Sequence, residues 1–188
     1  MKDALLFFGQ TFRRWRTIGA IAPSGAVLAR TIARAAGEVA DGQVVLELGP
    51  GTGVITRELV RHFPQARIVA VEVIDAFATR LAEMFPGVTV VRGCASRLDA
   101  HLGGLGIAPE NVAAVISGLP LLSLPGDLPQ QILASVTGVL RPGRRYVQFT
   151  YSASAWRRFA TPGLRPLARQ KVWRNFPPAT VLSFEREG

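Results

Sequence analysis

Val44-Val45-Leu46-Glu47-Leu48-Gly49-Pro50-Gly51-Thr52-Gly53 decides the fold of this chain. A run of apolar, mostly β-branched residues ends in three glycines at alternate positions. Val54, Ile55, Leu59 and Val60 follow, with Arg57, Glu58 and Arg61 between them, and that spacing is helical. The stretch predicts strand, tight turn, helix. Glycine tolerates positive φ and lets a bound group approach bare backbone. The helix that opens there has free N–H groups at its start, pointing at whatever is bound.

A dinucleotide-binding turn has the spacing G-x-G-x-x-G. Here it is G-x-G-x-G, preceded by Glu47. The arrangement acidic-x-G-x-G-x-G resembles motif I of class I S-adenosylmethionine (SAM) methyltransferases. That resemblance implies a SAM cradle at Gly49, Gly51 and Gly53, with Glu47 meeting the methionine amino group directly or through water. Ile68 to Glu72 reads as the next strand and ends in a carboxylate, followed by Val73. A carboxylate at that strand end can accept hydrogen bonds from both ribose hydroxyls. Val88 to Val91 reads as a third strand and leads into Gly93-Cys94-Ala95. Related enzymes often carry Gly-Asp-Ala there, so adenine is left to backbone groups at Ala95 and Ser96. Cys94 reads as a small buried hydrophobe.

Working outward, strands alternate with helices. Helices are expected at about 25–36, with Ser24 as N-cap, and at 75–84, near 96–102 and at 128–140. Val112 to Ile116 and Arg145 to Tyr151 read as the fourth and fifth strands. Ala168 to Arg174 and Ala179 to Phe184 read as a closing antiparallel pair. The pattern predicts a single α/β domain over 1–188: a doubly wound, seven-stranded Rossmann-like methyltransferase sheet with an N-terminal amphipathic helix. Ligands in such sheets bind at the carboxyl ends of the strands. One crevice therefore gathers Gly49 to Gly53, Glu72, Cys94 to Ser96, Ser117 to Pro120 and Tyr151.

The chain has 188 residues, enough for one domain with a sizeable core. No apolar run approaches the roughly 20 residues of a spanning helix, and the N-terminus lacks a signal-peptide layout. A single cysteine excludes an internal disulfide and fits a reducing cytoplasm. No His/Cys cluster has metal spacing, so no metal is expected. The net charge of +9 suits a polyanionic partner, either nucleic acid or an anionic lipid surface. Lys2, Arg13, Arg14 and Arg16 crowd the start, and a second cluster runs from Arg141 to Arg174.

Residues 3–18 carry Leu5, Phe8, Phe12 and Trp15 at three- and four-residue steps, on one helical face, with Lys2, Arg13 and Arg14 to the sides or opposite. Two readings are open. The helix lies in a membrane interface, aromatics in the acyl boundary and arginines on anionic headgroups. Alternatively it docks on its own core with the arginines solvated.

Five segments together resemble bacterial phospholipid N-methyltransferases over nearly the whole chain. They are Gly19-Ala-Ile-Ala-Pro-Ser24, Glu47 to Thr56, Ser117-Gly-Leu-Pro120, Gln148-Phe-Thr-Tyr151 and Arg174-Asn-Phe-Pro-Pro-Ala179. The resemblance implies stepwise methylation of phosphatidylethanolamine towards phosphatidylcholine by a protein peripherally attached to the inner face of the cell membrane. An amine that gains methyl groups cannot be held by donors alone. Aromatic faces suit it, which singles out Tyr151. Tyr146, five residues earlier on the same strand, should face the opposite way and pack. Ser117 could border the cofactor, accept from the amine or hold a water. Glu58 could reach the crevice or pair with Arg61 or Arg57. Arg174 or Arg57 could meet a headgroup phosphate. The sequence sets no oligomeric state.

Two other readings share the motif. An rRNA adenine N6-dimethylase would carry Asn-x-Pro-aromatic at the fourth strand to hold a flipped base. Ser117-Gly118-Leu119-Pro120-Leu121 lacks both the amide and the ring, which argues against nucleic acid. A non-catalytic SAM- or lipid-binding module would bind without turnover.

Overall fold

The computed structural model describes residues 23–152, 159, 161–175 and 177–188, with side chains from residue 25 onward. The amphipathic stretch 3–18 and the segment around Trp156 lie outside the described residues. Along the chain run α1 (Pro23–Ala35), β1 (Val44–Leu48), α2 (Val54–His62), β2 (Arg67–Glu72), α3 (Asp75–Met84) and β3 (Thr89–Arg92). A 3₁₀ turn (Ala95–Arg97) leads into α4 (Leu98–Gly104), β4 (Val112–Ser117), α5 (Leu128–Val139), β5 (Arg145–Thr150), β6 (Leu164–Val172) and β7 (Ala179–Arg186).

All seven strands form one sheet in the order β3-β2-β1-β4-β5-β7-β6. The first five are parallel, and β7 inserts antiparallel between β5 and β6. Every residue of β1 is buried, as expected for a parallel strand covered on both faces. Alternate residues feed two cores. Leu46, Leu48, Val69, Val115, Tyr146 and Phe184 pack with Leu98 of α4 and Ile132, Leu133 and Val136 of α5. Val45, Ile68, Ala114, Ile116, Val147 and Val181 pack with Leu28 and Ile32 of α1, Leu59 of α2 and Leu81 of α3. The result is a three-layer α/β sandwich, as the alternation of elements predicts.

Three details differ from the sequence reading. Helix α1 begins at Pro23, so Ser24 falls inside the first turn rather than capping it; proline at a helix start is already set to a helical φ. β6 begins at Leu164, four residues before the expected start at Ala168, and its register shifts between Pro166 and Ala168. Its residues from Arg165 to Lys171 are exposed, so no period-2 burial signal marks it. β5 ends at Thr150, which puts Tyr151 one residue past the strand, at the mouth of the sheet.

Chain order reverses between β1 and β4, where the connections after the two strands leave in opposite directions and open a crevice. Gly118 lets them start close together. Its N–H donates to Leu48 O at 2.8 Å, and a Cβ on it would stand 2.8 Å from Gly49 O. No side chain fits without moving backbone, which accounts for glycine in Ser-Gly-Leu-Pro.

Candidate active site at the strand ends

The motif I turn is a string of left-handed glycines, with φ of 67° at Gly49, 54° at Gly51 and 79° at Gly53. A side chain at Gly49 would collide with Leu119 Cδ2. The turn therefore brings bare backbone to the crevice and packs beneath the loop that follows β4.

Two carboxylates flank it. Glu72 ends β2 and is buried. Its Oε2 accepts from Gly51 N–H at 3.1 Å and its Oε1 from Ile74 N–H at 2.9 Å. Burial raises its pKa, and the N–H groups of Ile74, Gly51 and Val73 oppose that rise. The carboxylate thus ties the motif I turn to the end of β2 and retains lone pairs for further donors. Glu47, the penultimate residue of β1, has no exposed surface. Thr56 of α2 donates to its Oε2 at 2.7 Å, while Oε1 has no partner among the described residues. Burial, with repulsion from Glu72 adding to it, pushes its pKa up to about 8 against the bond from Thr56. A buried acceptor without a donor is rare in folded proteins. An ammonium group, or a water beneath one, would satisfy it, so this buried acceptor fits the methionine end of SAM.

This arrangement makes a pH prediction. Cofactor-free Glu47 holds a proton that the unfolded chain loses above 4.5. That residue's contribution to stability therefore falls as pH rises from 4.5 towards 8 and is level above it. An ammonium placed beside it favours the ionised form. SAM binding at pH 7, where an α-amino group is still mostly charged, should release close to one proton and tighten as pH rises to about 8. Calorimetry in buffers of different ionisation enthalpy reads the release directly. Glu47→Gln should abolish it.

The loop after β3 is compact. The 3₁₀ turn carries Ala95, which is buried, and Ser96, whose hydroxyl donates to Cys94 Sγ at 3.2 Å. His101 of α4 reaches back, with Nε2 3.0 Å from Cys94 O, and its ring fills the space a side chain at Gly93 would take. His101 was not expected here, because the spacing between residues 93 and 101 gives no sign of that contact. Cys94 is half-buried with a free thiol.

Past the turn, a cleft of 250 Å³ lies between the loop after β4 and the end of β5. Leu119, Leu121, Leu122, Phe149, Tyr151 and Phe159 line much of it. Tyr151 is 40% exposed and meets Phe149 edge to face, with ring centroids 5.9 Å apart. Asn175, buried in the β6–β7 turn, donates to Pro177 O at 2.7 Å and lies 3.5 Å from the Tyr151 hydroxyl. The Asn-x-Pro-Pro segment thus braces the end of β5 from a distant part of the chain. Arg174 sits exposed beside it, whereas Arg57 is exposed on α2. Tyr146 faces away from Tyr151, into the opposite core, and stacks on Phe184.

Ser117, at the end of β4, and Glu58, on α2, have protein partners of their own. Ser117 has no exposed surface. Its hydroxyl accepts from Leu119 N–H at 3.3 Å and meets the Tyr146 hydroxyl. Tyr146 donates to Gln148 Oε1 at 2.8 Å, and Gln148 Nε2 donates to Leu119 O and Phe149 O. Ser117 therefore belongs to a buried polar network that holds the loop after β4, and its hydroxyl points inward. The sequence reading missed Gln148 and Tyr146 as the props of this loop. Gln148→Leu would leave the Leu119 carbonyl and the Tyr146 hydroxyl short of partners, at about 1–3 kcal/mol for each group stranded. Denaturant unfolding should show the loss, and the conservative Gln148→Glu should recover only the bond from Tyr146. Glu58 is taken by Arg61, whose Nε and Nη2 lie 3.0 and 2.8 Å from its Oε2. Of the two roles open to it, ion pairing is the one its contacts describe.

Comparison with known proteins agrees with this geometry. Residues 45–143 match the methyltransferase domain family. An ornithine lipid N-methyltransferase of Singulisphaera acidiphila is 34% identical over 95% of this chain and 94% of its own length. A ribosomal RNA small subunit methyltransferase A of Gloeobacter violaceus is 32% identical over 86% of this chain, which spans only 55% of that protein. Among solved structures, the N-methyltransferase NodS of Bradyrhizobium japonicum, in complex with S-adenosylhomocysteine, superposes with a TM-score of 0.71 at 14% identity. It covers 93% of this chain and 92% of its own. The chain belongs to the methyltransferase domain family, with the class I Rossmann-like fold and S-adenosylmethionine as its cofactor.

Proposed function

We propose that this protein methylates the amine of a membrane lipid, with phosphatidylethanolamine as the substrate, towards phosphatidylcholine. The observation that carries the reading is the cleft at Tyr151: an apolar groove with one half-exposed aromatic ring at the end of β5. The cofactor is a sulfonium and supplies an activated methyl group, so the protein's part is placement. Alignment of the two reactants is worth about 7–11 kcal/mol. Charge moves onto the nitrogen as the methyl arrives. The Tyr151 ring then stabilises the transition state more than the neutral amine, which is the condition for catalysis. Glu47, Gly49, Gly51, Gly53, Glu72, Val73, Ala95 and Ser96 hold the cofactor. Arg174, one residue from the Asn175 that meets Tyr151, takes the headgroup phosphate in this reading.

The Singulisphaera relative favours a second headgroup, the free amine of an ornithine lipid. The rRNA reading draws on the Gloeobacter relative, but Ser117 offers no amide and Leu121 no ring for a flipped base. The test is purified protein with SAM and vesicles carrying either phosphatidylethanolamine or an ornithine lipid, with lipids separated afterwards by chromatography. Methylated phosphatidylethanolamine is expected. Product from the ornithine lipid alone would reassign the headgroup. Product from neither, with methylated rRNA in a parallel reaction, would overturn the lipid reading.

No helix among the described residues is long and apolar enough to cross a membrane. Residues 3–18 are proposed as a peripheral anchor on the inner face of the membrane. Apolar burial of roughly 25 cal/mol per Å² combines there with about 1 kcal/mol per basic residue. Phe8→Glu with Phe12→Glu should lower co-sedimentation with anionic vesicles by at least tenfold and leave SAM binding unchanged.

A further inference from the structure

We propose that the exposed edge strand β6 and the residue after it form a second membrane-docking surface, which seats on anionic lipid headgroups beside the substrate cleft. The proposal rests on the lipid reading above for its purpose, though its test does not.

Among the described residues β6 is the last strand of the sheet, with no strand on its outer edge, and Arg165 to Lys171 are exposed. Cations on an edge strand can simply block pairing with other chains. That role does not account for what accompanies them. Trp173 is 70% exposed and Leu167 is 39% exposed. The Lys171 ammonium lies 3.9 Å from the centre of the Trp173 ring. A tryptophan laid flat beside a cation is the pairing found at the level of lipid headgroups, where the ring is half in apolar surroundings and the charge meets phosphate.

Register supplies the second argument. Arg169 pairs with Leu182, Leu182 with Gln148, and Gln148 with Ser117. Lys171 pairs with Thr180, and Thr180 with Thr150. Residues directly opposite on neighbouring strands share a face. Arg169 and Lys171 therefore lie on the same face of the sheet as Gln148 and Thr150, which line the cleft. Two strand spacings separate them, roughly 10 Å. Arg165 is not part of the surface, because it pairs with Glu185. Beside Arg169, a depression of 340 Å³ is lined by Pro166, Leu167, Leu182 and Phe184 of β6 and β7. Positive charge over an apolar floor fits an anionic bilayer better than RNA, which is held by stacked rings along a basic groove. A bilayer seated there would also present a headgroup to Tyr151 without lifting its acyl chains from the membrane.

The experiment uses the full chain and vesicles of phosphatidylcholine with or without phosphatidylglycerol, so that no methylatable amine is present. Arg169→Glu with Lys171→Glu should weaken binding to phosphatidylglycerol vesicles by at least about 25-fold, at about fivefold per cation lost. SAM affinity should be unchanged and the wild-type binding should fall with salt. In a Trp15→Phe, Trp156→Phe background, Trp173 is the sole tryptophan. Its fluorescence should be quenched by brominated lipid. Unchanged partitioning of the double variant, or no quenching, overturns the proposal. So does tighter binding of short RNA than of vesicles at the same salt, lost in the same variant. Docking and quenching in a protein that methylates neither lipid would retain this surface and remove the substrate reading instead.

Discussion

Tyr151→Ala should lower methyl transfer by a hundredfold or more while SAM binding persists. The ring alone accounts for about 0.5–2 kcal/mol of attraction to the ammonium that forms. Its removal also widens the cleft between Leu119 and Phe159, and a substrate misplaced by an ångström can cost a further hundredfold. Tyr151→Phe separates ring from hydroxyl. The hydroxyl's distance to Asn175 is 3.5 Å, the long limit of a hydrogen bond, so the phenylalanine variant should retain a substantial share of the activity. Initial rates on lipid vesicles, with SAM affinity measured beside them, give the comparison. Equal loss in both variants would move the role from the ring to the hydroxyl, and full activity in Tyr151→Ala would remove the residue from the site.

The second large effect is expected at Glu72. Its carboxylate accepts from the backbone of Gly51 and Ile74, and in the proposed reading its remaining lone pairs accept from the ribose hydroxyls. Glu72→Ala removes both sets of bonds. Two hydrogen bonds to a charged acceptor are worth about 1.5–3 kcal/mol each, so SAM affinity should fall at least a hundredfold. Freed from the carboxylate, the Gly51 N–H no longer ties the motif I turn to β2, and a modest drop in melting temperature without cofactor should accompany the loss. Glu72→Gln keeps one carbonyl acceptor and should lie between. Calorimetric titration would refute the assignment if the alanine variant bound SAM as the wild type does.

The membrane and headgroup experiments bear on different faces of the molecule. Phe8 and Phe12 test the N-terminal stretch, and Arg169, Lys171 and Trp173 test the edge of the sheet. Fold-losses that multiply when the two pairs of changes are combined would make the two surfaces additive, as expected for sites that share no partner.

By itself the sequence determined the order of elements, the three-layer architecture and the glycine turn at the end of β1. Those features are local. A parallel strand buried on both faces reads as an apolar run, as β1 does. A turn that must adopt positive φ at Gly49, Gly51 and Gly53 has to be written in glycine. Carboxylates at the ends of consecutive strands fall on one rim because βαβ units repeat the same hand. Tertiary structure alone decided which residues meet across the crevice. Gly118 is required by the carbonyl of Gly49, Gln148 grips the Leu119 carbonyl, and Asn175 stands against Tyr151. Ser117, placed in the crevice by its position at a strand end, turns its hydroxyl into the network with Tyr146. The early start of β6 was hidden for a related reason. An edge strand with neither face buried carries no alternation, and only its pairing with β7 defines it. Contacts across strands depend on register and on the approach of separate loops, and neither leaves a period in the chain.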